Sequence, residues 1–250
     1  MPSQYKDYFS SQAERYADIR PDYPSALIDF VAGLVRRHRL AWDCATGSGQ
    51  AAIPLAAHFA RVVATDASEN QVAHARAHPR VEYVVATAES SGLTSGSVDL
   101  VTIAQALHWL DRDRFYAEVR RVLVPGGALA VWTYGDPSIE DDPAVDAALQ
   151  RFNHETLGSY WPTGRGDVGE GYLRYEFPFV EVPTPRFRIE REWTLSDLAR
   201  YARSWSSTVR YVSKHGTDPV VGFETELAAI WGDPETRHSV RWQITLRAGH

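Results

Sequence analysis

The sequence predicts an α/β fold, with a mostly parallel sheet of seven strands, helices on both faces and an antiparallel hairpin at the C-terminal end. Three observations carry this expectation. Five short apolar runs between residues 40 and 134 alternate with segments of helical periodicity, the pattern of a parallel sheet whose crossovers are helices. The fourth run, Val98 to Ala104, is nearly all apolar, as a strand buried on both faces must be. After Gly135 the alternation stops, and two further strand candidates, Phe187 to Trp193 and residues 240–246, are placed to close the same sheet as a hairpin.

Each element has a local reason. Residues 10 to 36 read as helix in two pieces, broken at Arg20-Pro21-Asp22-Tyr23-Pro24, because proline forces the residue before it into extended backbone. Leu40 to Cys44 forms the first strand, and AAIPLAAHFA after it is helical, with Pro54 confined to the first turn. Residues 62–66 form a second strand ending on Asp66; Ser68-Glu69-Asn70-Gln71 then has the S-x-x-Q pattern of a capping box opening the helix VAHARA. Residues 81–86 make the third strand, followed by Ala88-Glu89 and the polar turn SSGLTSGS. Phe115, Val119, Val122 and Leu123 recur at helical spacing until Pro125-Gly126-Gly127 stops that helix before the fifth strand, ALAVWTY. Beyond it, a helix is expected around 145–157, and Thr194-Leu195-Ser196-Asp197 offers a cap for LARYARSW.

These elements divide one domain into four regions: an N-terminal helical cap over 1–36, a core over 37–135, a lid insertion after strand five over 136–185, and the last helices and two strands over 186–250. Composition bounds what such a domain does. Hydrophobic residues at 44% and charged residues at 23% are ordinary for a globular chain of 250 residues. A net charge of −6 argues against nucleic-acid binding, and the basic run Arg36-Arg37-His38-Arg39 reads as a solvated helix end. One cysteine excludes an internal disulfide or a cysteine-rich zinc site. His74 and His78 stand at i, i+4 without an evident third ligand, so no metal is expected. MPSQYKDYFSSQAERY has no apolar signal core, and nowhere do eighteen apolar residues run together; the expectation is a cytoplasmic protein without membrane or nucleic-acid partners, monomeric or homodimeric.

The stretch DCATGSGQ, residues 43–50, joins the first strand to the next helix, where small residues let backbone amides approach a nucleotide-type cofactor. Gly47, Gly49 and Ala52 satisfy G-x-G-x-x-A, and Asp66 lies 17 residues beyond Gly49, near the spacing of an acid that binds ribose hydroxyls. Locally the stretch fits NAD or S-adenosylmethionine equally well.

The wider chain separates the two. It resembles the class I S-adenosylmethionine-dependent methyltransferases, over most of residues 9–135. The motifs are Asp43-Cys44-Ala45-Thr46-Gly47-Ser48-Gly49, the strand-two acid Asp66, Ala88-Glu89, the strand-four exit VDLVTIAQALHWL, and Pro125-Gly126-Gly127, in order. FSSQAERYADIRPDYP with QALHWLD is similar, more narrowly, to the trans-aconitate methyltransferase-like branch. The resemblance implies a Rossmann-like fold binding S-adenosyl-L-methionine and releasing S-adenosyl-L-homocysteine, with a small-molecule methyl acceptor. It implies cofactor contacts from Asp43, Ala45, Thr46, Gly47, Gly49, Gln50, Asp66, Ala67, Ala88, Glu89 and Gln105. Tyr16 and Arg20 either cover the methionine end of the cofactor or pack a surface helix. Asp43 either meets the ligand or holds the loop.

Ala45 departs from the family's usual glycine. Its methyl group is harmless at negative φ and costs of order 1 kcal/mol or more at positive φ, so a chain that binds the cofactor without catalysis is the alternative reading. The remaining motifs are intact, and Ala45 is taken as tolerated. His108, leaving strand four, is either a general base or a pocket wall beside Trp109. Tyr160, Trp161, Trp205 and Tyr211 are candidate aromatic walls, Tyr172 among them, and Arg165, Arg174 and Arg210 candidate anion receivers. The implied chemistry is direct displacement onto an oxygen of a carboxylate or hydroxyl.

Overall fold

The computed structural model describes residues 21–162 and 164–250; Tyr16 and Arg20 lie outside them. In chain order the elements are α1 (Ser25–Gly33), β1 (Leu40–Cys44), α2 (Ala52–Leu55), β2 (Arg61–Asp66), α3 (Glu69–Ala73), β3 (Val81–Val85), β4 (Val98–Ala104), α4 (Arg112–Val122) and β5 (Leu123–Tyr134). Then come β6 (Ser138–Ile139), α5 (Pro143–Arg151), α6 (Arg165–Gly169), β7 (Phe187–Trp193), α7 (Leu195–Arg203), α8 (Ser206–His215), α9 (Val220–Ile230) and β8 (His238–Gly249). The sheet runs β3-β2-β1-β4-β5-β8, with β7 on the far side of β8. The first five strands pair in parallel, and β8 is antiparallel to both β5 and β7.

All seven expected strands form. The eighth, β6, pairs Ser138 with Arg241 and Ile139 with Val240, along the edge of β8 that β5 leaves at Tyr134. The interruption falls at Gly135-Asp136-Pro137, where proline has no N–H to give a ladder. Two helices are shorter than their sequence patterns suggest. After α2 ends at Leu55, the chain continues in turn-like hydrogen bonds to Phe59. α3 stops at Ala73, beyond which the Arg76 N–H is drawn to the Ser48 carbonyl at 3.2 Å. Ser68 does cap α3, accepting from Gln71 N at 3.3 Å, but its own N–H goes to Asp66 Oδ1 at 2.9 Å, so the reciprocal half of the capping box is replaced by a bond to the strand-two acid.

The strand period of two sorts side chains into two cores. Leu100, Ala128, Ala130 and Trp132 face α1, α5, α7 and α9, whereas Val101, Ile103, Leu129 and Val131 face α4 and the segment around Tyr172 and Phe177. Trp42 is fully buried, yet its indole N–H is satisfied by Thr65 Oγ1 at 2.8 Å. Asp99 is buried at the start of β4 and accepts the N–H groups of Arg39 and Leu40 at 2.9 and 3.0 Å, fixing where β1 begins. β1 lies between β2 and β4, so the chain departs to opposite sides from β1 and β4. That divergence opens a crevice at the carboxyl ends of the two strands.

Helix α7 is held by a complete capping box: Thr194 Oγ1 accepts from Asp197 N at 3.3 Å, and Asp197 Oδ2 accepts from Thr194 N at 3.2 Å. Thr194→Ala should lower stability by about 1 kcal/mol, measured by urea denaturation; a change below a few tenths would show that the packing of α7 on β8 fixes this helix without its cap.

Candidate functional site

The loop after β1 is built around three left-handed residues: Ala45 at φ 52°, Gly47 at 56° and Gly49 at 88°. Thr46 N–H donates to the Thr65 carbonyl at 2.9 Å, tying the loop to β2. Beneath it, Asp43 is buried and accepts Thr46 Oγ1–H at 2.5 Å and Thr102 Oγ1–H at 2.7 Å. Burial pushes its carboxyl up to about 6, against the opposing pull of the two threonine hydroxyls, while the nearby Asp66 charge raises it further. Of the two roles open to Asp43, loop-holding is the one its hydrogen bonds perform. Asp66, at the end of β2, accepts Gly47 N–H on Oδ2 and Ser68 N–H on Oδ1, each at 2.9 Å. The carboxylate also lines the cavity beside the loop.

That cavity, about 550 Å³, lies over the crevice and is of ordinary size for a small-molecule site. At one end are Asp43, Ala45, Thr46, Gly47, Gln50, Asp66, Ala67, Ala88 and Glu89; Gln105, His108 and Trp109 follow; Trp161, Arg165 and Trp205 form the other end. Fifteen of the residues singled out from the sequence are thus brought together. Gly49 plays a different part: a Cβ there would sit 2.1 Å from Tyr83 Oη, so the glycine admits the tyrosine against the loop. Tyr160 and Tyr211 do not line the cavity. Their rings pack at 5.0 Å beside α8, where Tyr160 Oη meets His215 Nε2 at 2.6 Å. Arg174 pairs with Glu170 at 2.6 Å, and Arg210 reaches the Tyr160 carbonyl at 3.4 Å.

Tyr23, Tyr134, Tyr201 and Ser204 also line the cavity and were not anticipated. Tyr201 had a readable signal. It lies on the inward side of the amphipathic α7, is buried, and accepts Trp242 Nε1–H at 3.1 Å. Tyr23 stands perpendicular to Trp132 with ring centroids 5.4 Å apart, a contact between segments distant in the chain that sequence spacing does not reveal.

Gln105 is the second strained cavity residue, with φ 56°. Its conformation is held at three points: its N–H donates to the Trp132 carbonyl at 3.0 Å, Nε2 to the Tyr134 carbonyl at 3.0 Å, and Oε1 accepts Thr133 Oγ1–H at 2.7 Å. This turns the chain sharply out of β4 and delivers His108 and Trp109 to the cavity in a single helical turn, Leu107–Trp109. His108 Nδ1 lies 2.8 Å from Tyr172 Oη, and its ring is tilted against that of Trp109, with centroids 4.5 Å apart. Burial lowers the imidazole to about 4; the Asp167 charge works against this and the Arg165 charge with it. The ring is therefore neutral near pH 7 and a weak proton acceptor, which counts against the general-base reading. Tyr172, expected as a wall, is buried behind His108 rather than lining the cavity. Arg165 ion-pairs with Asp136 and lies 4.1 Å over the Trp161 ring, so its charge reaches the cavity already partly balanced.

Comparison with known proteins agrees with this geometry. Residues 42–131 match the Methyltransf_11 family, a methyltransferase domain. A Dictyostelium discoideum protein named as a methyltransferase is 31% identical over 219 residues, 87% of this chain and 83% of its own length. The chain belongs to the class I S-adenosylmethionine-dependent methyltransferases. A Saccharomyces cerevisiae protein named as an S-adenosylmethionine-dependent methyltransferase is 27% identical over 255 residues, covering 88% of each chain. A solved structure described as a type II methyltransferase from Anaeromyxobacter dehalogenans superposes with a TM-score of 0.86 at 42% identity, over 92% of this chain and 97% of its own. The NAD reading is set aside by this membership.

Two predictions follow from the loop. A left-handed L-residue costs about 1–2 kcal/mol, whereas introducing glycine frees the unfolded chain by about 0.4–1 kcal/mol; Ala45→Gly should therefore stabilise the protein by about 0.5–1 kcal/mol, read as a rise in urea midpoint at unchanged slope. Because Asp43 titrates near 6 in the folded state and at 3.8 ordinarily, the native state keeps a proton that the unfolded chain releases between those values. The stability tied to this group is full below pH 4 and declines as pH rises towards 6. Urea denaturation at stepped pH should show that decline in the wild type and lose it in Asp43→Asn; parallel curves would overturn the assignment.

Proposed function

We propose that the protein transfers the methyl group of S-adenosylmethionine to an oxygen, carboxylate or hydroxyl, of a small molecule. The observation that carries this is the continuity of the cavity. The loop after β1, Asp66 and Ala88-Glu89 open into the same chamber as Trp161, Trp205, Tyr201 and His108. The residues suit the cofactor chemically: Asp66 places a carboxylate, the kind of group to which ribose hydroxyls donate, in the cavity lining, and Gly47 leaves open space, with nothing closer than Gln71 Oε1 at 3.9 Å to an added Cβ.

When bound, S-adenosylmethionine supplies an electrophilic sulfonium methyl group, so the chain need provide no covalent nucleophile. The chain's contribution is alignment and exclusion of water. Trp161 is fixed by its Nε1–H bond to Asn153 Oδ1 at 2.9 Å and packs 5.6 Å from Trp205, which itself stands edge-on to Tyr201 at 5.6 Å. This rigid aromatic wall can hold a flat apolar acceptor in line with the methyl group, and positioning of this kind supplies up to about 7–11 kcal/mol in favourable cases. A cavity of about 550 Å³ favours a small molecule over a polymer, and the net charge of −6 disfavours a nucleic acid. Among the described residues no helix is long and apolar enough to cross a membrane.

Isothermal titration with S-adenosylhomocysteine should show binding to the intact protein, weakened about 100-fold by Asp66→Ala through loss of two charge-assisted hydrogen bonds. Absence of binding to the intact protein would overturn the reading. Methyl uptake from labelled cofactor, screened over small carboxylic acids and phenols, then identifies the acceptor; uptake confined to amines would overturn the oxygen assignment.

A further inference from the structure

The contact between His108 and Tyr172 specifies more than a wall. Tyr172 holds an unfavourable backbone, φ 59°, immediately after Gly171 at φ 69°. Such strain persists only where its surroundings over-determine it, and they do. Arg247 Nη1 donates to the carbonyls of Tyr172 and Tyr175 at 3.1 and 2.7 Å, and Tyr172 N–H donates to the Asp167 carbonyl at 2.9 Å. The Tyr172 ring is stacked on Tyr175 at 5.5 Å. A buried residue held in this way presents its hydroxyl at a fixed point, 2.8 Å from His108 Nδ1.

The direction of that hydrogen bond follows from proton bookkeeping. Thr133, the other hydroxyl acting on Tyr172, gives its own proton to Gln105 Oε1. An imidazole nitrogen accepts a phenol proton better than a hydroxyl oxygen does. The Tyr172 Oη–H therefore donates to Nδ1, which must be unprotonated, and the neutral ring carries its proton on Nε2. Nδ1 is engaged by a residue outside the cavity lining while His108 itself lines the cavity, which leaves Nε2 as the ring nitrogen available to a bound molecule.

We infer that His108 serves as a fixed hydrogen-bond donor, through Nε2–H, to the oxygen being methylated, and that Tyr172 is the positioning residue that sets this tautomer. The inference rests on the methyl-transfer reading and refines its substrate. A donor at this position does not take a proton from the acceptor; it orients a lone pair that is already available. The acceptor then enters ionised, as a carboxylate or an acidic enol or phenol, and the methyl group moves to its oxygen with no proton to remove. Burial disfavours a charged imidazole and Arg165 adds to this, while Asp167 opposes both.

The tautomer can be read on the protein alone. In protein labelled with ¹⁵N at its nine histidines, long-range proton–nitrogen correlation spectra, with His108→Gln identifying the signal, should show neutral His108 protonated on Nε2 at pH 7 and charging only near pH 4. Tyr172→Phe should produce a mixture of tautomers and move the titration upwards, since the bond that favours the neutral ring is gone. Protonation on Nδ1 in the wild type, or an unchanged tautomer in Tyr172→Phe, would overturn the inference. If Tyr172→Phe does not fold, the wild-type spectrum still decides. The measurement uses neither cofactor nor acceptor, so its failure is distinct from failure of S-adenosylhomocysteine to bind.

Discussion

The buried carboxylate of Asp43 is the constraint on which the site depends. It sits one residue before the end of the first strand, where the chain must turn sharply, and its two oxygens accept hydrogen bonds from the hydroxyls of Thr46 in the loop and Thr102 on β4. A charged group in such a place is costly to desolvate, and its elevated titration reflects that cost. In return it sets the spacing between the diverging strands. Above it, Asp66 repeats the device on a larger scale, drawing the Gly47 amide towards β2 and the Ser68 amide towards the next helix. Two acids thus hold the shape of a loop whose backbone would otherwise relax from its left-handed conformations.

The opposite end of the cavity is built by different means. Its residues come from segments between 134 and 206, far along the chain from the glycine loop, and it is held by ring packing rather than by carboxylates. Trp161, Trp205, Tyr201, Trp193 and Trp242 form a continuous set of ring contacts from the cavity to β8. Such edge-on and tilted contacts fix ring orientation as well as distance. The division suits the proposed chemistry: backbone and carboxylate polarity for a ribose, aromatic surface for holding an acceptor and excluding water.

The core of the fold was legible because its signals are local. Alternating apolar runs set the strands, and Thr194 to Asp197 announced the cap that forms. The loop end of the cavity was equally legible in its placement, since Asp43, Gly47, Asp66 and Ala88-Glu89 sit at or just after strand ends where spacing alone puts them. What escaped depends on distant partners. Pro137 breaking β5 into a second short strand required knowing that β8 lay alongside. Tyr160 and Tyr211 were aromatic in the expected region, but a hydroxyl bound to His215 turns the pair away from the cavity. The positive φ of Ala45, Gln105 and Tyr172 could not be read from residues that ordinarily avoid it; only at Ala45 did a missing glycine pose the question.

The position of β8 also bears on how the chain acquires its structure. It is the last strand in sequence yet interior to the sheet, with β5 and β6 on one side and β7 on the other. Leu129 pairs with Gly249, a separation of 120 residues (249 − 129). Contacts of that range are slow to close because the chain entropy between them is lost first. During synthesis the five parallel strands can assemble while β5 still presents an open edge, and the aromatic wall, anchored through Trp242, stays unassembled until β8 emerges. A nascent chain stalled before residue 238 would expose the edges of β5 and β7 together, and those edges, rather than the glycine loop, are where aggregation during synthesis would begin.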